Sequence, residues 1–296
     1  MSNAVPFSQV LYMAGLNEIG HTTLVVSVFL TVLSAVAVGL RLWTRRILGN
    51  RVGVDDWLIL VSWFIFLGFS GNILVGVYTC GGGQVYTSEE EARKKLVQYL
   101  QSSYAIAPLY AVNVTTVKLS ILFLYRRLFP IPSFQRANMG VMVFCFVWFV
   151  IAIIGDIFYC IPIQRFWDPA VPGSCFDFPV YFLIMEVVDL LLDVIIIGLP
   201  MKIILGLPLS LRKRLAVVGI FLLGAFVIVT GAVRIAYVYQ RSRQLLVLPQ
   251  ASFWSVVNLG TAIVCACLPI CRPSLAQFVA LRRMWFQSTP DKHEGH

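Results

Sequence analysis

Residues 179–200 read PVYFLIMEVVDLLLDVIIIGLP, an apolar run long enough to cross a membrane that nevertheless carries Glu186, Asp189 and Asp193. The acids fall at i, i+3 and i+7, which at about 3.6 residues per turn places them on one face of a helix. A carboxylate at the centre of a lipid-embedded helix costs about 2.5–3.5 kcal/mol on insertion scales, so three of them facing lipid is untenable. The acidic face must meet other helices, a water-filled cavity or partner cations.

Of the 296 residues, 59% are hydrophobic and 12% charged, against roughly 25% charged in soluble domains. Mean hydropathy is +0.83. Apolar runs of about 20 residues match a ~30 Å hydrocarbon core. An ordinary soluble domain is excluded, and the expected fold class is all-α: a polytopic helical membrane protein whose first partner is the lipid bilayer. Cys265, Cys267 and Cys271 lie in an apolar stretch without a neighbouring His. They read as small buried hydrophobes, and no metal site is expected.

Seven spans fit, at about 22–42, 57–79, 97–125, 138–160, 179–200, 215–239 and 252–271. The predicted organisation is a short tail, 1–21, a seven-helix transmembrane domain, 22–271, and a second tail, 272–296. Residues 1–21 show neither a basic n-region nor a small-residue cleavage site, so a cleaved signal peptide is not expected. With the amino terminus outside or luminal and the carboxyl tail cytosolic, 15 Lys and Arg fall on inner segments and six on outer ones, as the positive-inside rule requires. The inner cations, Arg41, Arg45 and Arg46 among them, then answer to topology and anionic headgroups. Nucleic acid is not an expected partner despite the net charge of +9.

Three cysteines fall on the expected outer side, where disulfides are permitted. Cys160 and Cys175 bracket one loop and form the preferred pair, with Cys80 as the competing partner. The acceptor motif at Asn113-Val-Thr115 is discounted for glycosylation because it lies mid-span. Counting ~1.5 Å per residue from the outer end, Glu186 lies ~10 Å deep, Asp189 ~15 Å and Asp193 ~21 Å. Arg234 comes out at ~8 Å, near Glu186, Asn72 and Asn258, with Asp156 slightly above. Lys118 comes out at ~30 Å, from where its long stem can reach toward Asp193.

That polar layer has two readings. In one, buried acids and bases neutralise each other and fix how the helices pack. In the other, they form a pocket for an oxygen-bearing small molecule, in which Glu186, Asp189 or Asp193 is a candidate catalytic acid and Arg234, Asn258 and Asn72 are candidate ligand-binding residues. Tyr104, Tyr181 and Tyr237 are candidate walls. A retinal pigment needs a lysine within a span for its Schiff base. The seventh span has none and Lys118 lies too near the inner end of the third, so neither retinal nor another cofactor is expected. Paired inverted repeats, the mark of many secondary transporters, are not evident.

The punctuation between spans is specific. It includes Arg41 with Arg45-Arg46, then Asp55-Asp56-Trp57, and KLSILFLY at Lys118–Tyr125 with Arg127-Leu-Phe129. Cys160-Ile-Pro162, Trp167-Asp168, Gly173-Ser-Cys175 and Asp193 with Leu199-Pro200 follow. Arg212-Lys-Arg214-Leu, Gly224, Arg234, Phe253-Trp254-Ser255, Cys267-Leu-Pro269 and Arg272-Pro273 complete the set. Through nearly the whole chain this resembles the fungal rhodopsin-like domain proteins, seven-helix membrane proteins with members in toxin gene clusters of the satratoxin type and relatives among surface-sensing receptors. One departure stands out: Asn258 occupies the place where such proteins often carry Glu in Trp-x-x-Ile-Glu.

The resemblance implies an integral protein of the plasma membrane or an endomembrane. It also implies an accessory role in fungal secondary-metabolite biosynthesis, binding an apolar intermediate or converting it as an acid-assisted cyclase or isomerase. The alternative is a G-protein-coupled-receptor-like sensor without retinal, whose basic inner loops would meet a G protein. The short ends, about 21 and 25 residues, leave little chain for such coupling.

Overall fold

The structure, a computed structural model, describes residues 16–49, 51–80, 89–168, 170–201, 203, 211–238 and 252–270. Seven long helices account for most of them: α1 (Leu16–Ile47), α2 (Val54–Cys80), α3 (Glu89–Leu128), α4 (Pro132–Ile157), α5 (Phe178–Gly198), α6 (Leu211–Val238) and α7 (Ser252–Ile270). Between α4 and α5 lie β1 (Cys160–Ile161), a 3-10 turn (Ile163–Phe166) and β2 (Ser174–Cys175). The tails 1–15 and 271–296 lie outside the described residues, as does the side chain of Cys80.

All seven expected spans are helices, with displaced ends. α3 starts eight residues earlier than its apolar pattern, because Glu89-Glu90-Glu91 and Arg93-Lys94-Lys95 continue the helix as a polar extension rather than a loop. The Lys94–Glu90 pair at 3.0 Å and i,i+4 spacing supports that exposed turn. α4 likewise starts at Pro132, whose fixed φ and missing N–H suit a first helical turn. Gln135 Nε2 then donates to the carbonyls of Arg126 and Phe129, satisfying groups that the end of α3 leaves open. At the end of α1, Gly49 has a φ of 64°, a conformation that glycine adopts without strain, and it turns the chain toward α2.

The helices bury their small and polar faces and expose their large apolar ones. On α1, Val25, Val28, Phe29, Val32 and Val36 are exposed, whereas Thr23, Ser27, Leu30, Ser34, Val38 and Arg41 are buried. On α4, Phe144, Val147, Ile151 and Ile154 are exposed, whereas Asn138, Cys145, Trp148 and Ala152 are buried. Both sets follow helical spacing, and the inverted polarity is that of helices solvated by lipid. Among the described residues, five helices are by themselves long and apolar enough to cross a membrane. α5 has the length but carries three acids, and α6 has a shorter apolar stretch, Phe221–Ala236. The chain is an integral membrane protein whose core joins Phe66, Phe69, Leu122, Leu192, Leu259 and Ile263.

β1 and β2 form an antiparallel ribbon in which Cys160 stands opposite Cys175, and the two are joined by a disulfide. Rings gather beneath it: Tyr159 lies 4.9 Å from Phe176 and 5.8 Å from Phe166, and Tyr104 of α3 lies 5.4 Å from Phe166. This ribbon marks one end of the bundle. The α1–α2 turn marks the other.

Candidate functional site

The acidic face of α5 turns inward, and two cations of neighbouring helices meet it. Lys118 of α3 is 3% exposed. Its Nζ lies 2.7 Å from Asp189 Oδ1 and 2.9 Å from Asp193 Oδ1, and donates to the Asp189 carbonyl at 2.9 Å. Its three N–H groups thus face three oxygens, so the expected reach toward Asp193 extends to Asp189 as well. α6 supplies the second cation. Arg234 Nη1 lies 2.8 Å from Glu186 Oε1, as their similar depth suggested.

Arg234 packs over two rings, its guanidinium carbon 3.8 Å from the centroid of Tyr110 and 4.9 Å from that of Phe182. Such stacking favours a desolvated guanidinium. Tyr110 is held in turn: its hydroxyl donates to Asn258 Oδ1 at 3.3 Å, and Asn258 Nδ2 donates to the Val227 carbonyl and to Thr230 Oγ1 at 3.0 and 3.1 Å. Asn258 thereby joins α7, α6 and α3 through uncharged groups. Arg234, Glu186, Tyr110 and Asn258 are all buried. Arg234 Nη1 is met only by this ion pair, and among the described residues Nε makes no hydrogen bond.

Three other residues expected at this layer make their contacts elsewhere. Asn72 accepts from Ser102 Oγ at 3.1 Å, an α2–α3 contact apart from the Arg234–Glu186 pair. Tyr181 donates to the Ala152 carbonyl and to Asp156 Oδ1, and Tyr104 donates to the Ile157 carbonyl, so both brace the ribbon end of α4. The side chain of Tyr237 lies outside the described residues. Tyr110 was not anticipated, because a tyrosine in mid-span has no local pattern that marks it as a partner for an arginine on another helix. Asn113, discounted as a glycosylation site, is fully buried and accepts from Ser62 Oγ at 2.6 Å.

The largest departure from expectation is a second charge cluster near the α1–α2 turn. Arg41 and Arg45 do not serve lipid headgroups; both are buried. Arg41 Nε donates to Asp56 Oδ1 at 2.8 Å, Nη2 to Asp55 Oδ2 at 2.7 Å, and Nη1 to the Ala266 carbonyl of α7 at 2.8 Å. Arg45 pairs with the same two aspartates at 2.7 and 3.2 Å. The Asp55 carbonyl also accepts from Ser120 of α3. Two arginines and two aspartates close a neutral square that ties α1, α2, α3 and α7. Arg46, by contrast, is exposed.

A retinal Schiff base does not fit these residues. Lys118 is the lysine that faces the bundle interior among the described residues, and its ammonium serves three oxygens. A protonated imine keeps one N–H, which would leave two of those oxygens unserved in a buried setting.

The fungal rhodopsin domain matches residues 40–277. Wortmanamides biosynthesis cluster protein C of Talaromyces wortmannii is 30% identical over 243 residues, 81% of this chain and 66% of its own length. Satratoxin biosynthesis SC1 cluster protein 4 of Stachybotrys chartarum is 34% identical over 169 residues, 56% of this chain and 62% of its own. Receptor GIN3 of Arthrobotrys oligospora is 25% identical over 254 residues, 82% of this chain and 59% of its own. In each case the chain spans just under two thirds of the relative's length. No solved structure matches. With the domain taking in α2 to α7 whole and the last turns of α1, this chain belongs to the fungal rhodopsin domain family.

Proposed function

We propose that this protein is an accessory membrane component of a fungal secondary-metabolite pathway and that it holds an apolar, oxygen-bearing intermediate at the Arg234–Glu186 layer. The observation that carries this reading is a buried guanidinium, packed over two rings, whose donors the bundle does not fully serve. A cation present only to neutralise Glu186 needs neither the rings nor the spare donor. Relatives named for the wortmanamides, satratoxin and polyenoic acids clusters support the setting. Within the layer Glu186 is the candidate acid because it is the carboxyl beside Arg234, whereas Asp189 and Asp193 stand at Lys118. Holding is the primary role, and acid-assisted cyclisation or isomerisation is its chemical extension. The ribbon end faces outside or the lumen on this reading, as the distribution of cations favours.

The second reading, a membrane sensor, is favoured by the likeness to Receptor GIN3 over 82% of the chain. Deleting the gene in its host and profiling extracts by mass spectrometry separates the two. The expected result is accumulation of one defined precursor, reversed by the intact gene. An unchanged profile with an altered growth or surface response would refute the biosynthetic role in favour of the sensor.

A further inference from the structure

The buried network is unbalanced in one particular way: what it lacks at Arg234 is an acceptor. Arg234 is 5% exposed; its Nη1 is met by Glu186 as an ion pair, but among the described residues its Nε makes no hydrogen bond. An unserved donor on a buried charged group is costly, and it is relieved only by an oxygen or nitrogen acceptor brought to it. The neighbouring candidates are already committed. Glu186 Oε1 is taken by Nη1, Asn258 Oδ1 accepts from Tyr110, and Asp189 and Asp193 face Lys118.

Charge narrows what that acceptor can be. Glu186, Asp189 and Asp193 on α5 face two cations, Lys118 and Arg234, so carboxylates already outnumber their partners. A ligand carboxylate at Arg234 would stand beside Glu186, itself 2.8 Å from the same guanidinium, and like charges in a desolvated site repel strongly. A ligand amine would suit the excess of carboxylates but would add a donor where one is already unserved. What remains is a neutral acceptor. The rings of Tyr110 and Phe182 beside the guanidinium favour flat, apolar surface next to that oxygen.

We infer that Arg234 anchors the carbonyl oxygen of an uncharged, largely apolar ligand, of the ketone, ester or lactone class, with Glu186 as the counter-ion that keeps anions out. The inference rests on the proposal that this layer holds a small molecule, and it names the class. Tyr110 and Asn258 act as positioning residues: the amide fixes the phenol, and the phenol ring fixes the plane of the guanidinium.

The test uses the full chain purified in detergent and four probes of equal chain length: methyl nonyl ketone, undecanoate, undecylamine and undecane. Binding is read as a concentration-dependent rise in melting temperature. The ketone is expected to stabilise, and the acid, amine and hydrocarbon are not. Arg234→Lys keeps the positive charge opposite Glu186 but loses the planar fork and its Nε–H. It is expected to weaken the ketone's apparent Kd roughly 10- to 100-fold. The inference is overturned if undecanoate or undecylamine stabilises as well as the ketone, if the ketone has no effect, or if its effect persists undiminished in Arg234→Lys. Should that variant not fold, the ranking of the four probes on the unaltered protein still decides. Selective ketone binding with an unchanged metabolite profile in the deletion strain would remove the biosynthetic role and leave the site. An altered profile without ketone selectivity would do the reverse.

Discussion

Replacing Lys118 with methionine tests how much the bundle depends on its central cation. Methionine keeps the length and most of the volume of the stem but removes the ammonium that lies 2.7 and 2.9 Å from two carboxylates and donates to a carbonyl. Asp189 and Asp193 would then stand one helical turn apart with no cation, in a layer where Asp189 is 4% exposed. Breaking a buried ion pair by removing one partner costs about 3–5 kcal/mol, because the survivors keep their desolvation penalty without compensation. For a domain of this size that corresponds to a fall in melting temperature of about 10 °C. The assay is intrinsic tryptophan fluorescence of the purified protein during heating in detergent. A charge-free control, Lys118→Met with Asp189→Asn and Asp193→Asn, should recover most of the loss, because the expensive charges leave together. If Lys118→Met melts within about 2 °C of the parent, the ammonium is not what neutralises this face, and the reasoning fails.

Arg41→Lys should destabilise by about 2–4 kcal/mol in the same assay, since one ammonium cannot reach Asp55, Asp56 and the Ala266 carbonyl as the guanidinium does. The exposed Arg46→Lys should stay within about 0.5 kcal/mol of the parent. Gly260→Ala would bring a methyl to 2.9 Å from Leu30 Cβ and 3.2 Å from Phe66 Cζ, where α7 crosses α1 and α2. It should cost about 1–3 kcal/mol, whereas Gly140→Ala, inside α4 with nothing within 4 Å, should raise the melting temperature slightly through helix propensity.

The fold was legible because lipid imposes a simple code of long apolar runs separated by basic turns. α5 was legible in finer detail. Three acids on one face could not meet lipid, so an inward face with cationic partners followed from cost alone, and depth counting brought Arg234 to Glu186. The Cys160–Cys175 pair was readable as the two thiols that close one short loop. Arg41 and Arg45 were misread for an equally physical reason: a buried cluster at a helix end and a topogenic basic patch have the same local sequence. The aspartates that distinguish them lie on the next helix, and the Ala266 carbonyl lies 225 residues away. Asn72 was placed by depth, but depth does not give the rotation of a helix, and α2 turns that side chain to Ser102. Tyr110 was invisible because its role depends on two other helices at once.

The two cations that meet α5 lie on opposite sides of it in the chain, and this bears on how the protein is made. Lys118 is synthesised before Asp189 and Asp193, so when α5 leaves the ribosome their partner is already available in the membrane. Glu186 has no such advantage, because Arg234 arrives only with the following helix. Taken singly, α5 and α6 each carry a buried charge within the span that the other cancels. The insertion machinery therefore receives them best as a hairpin, with α3 waiting as the docking partner, and the late steps of biogenesis become a place where a single charge substitution can divert the chain to degradation before any ligand is met.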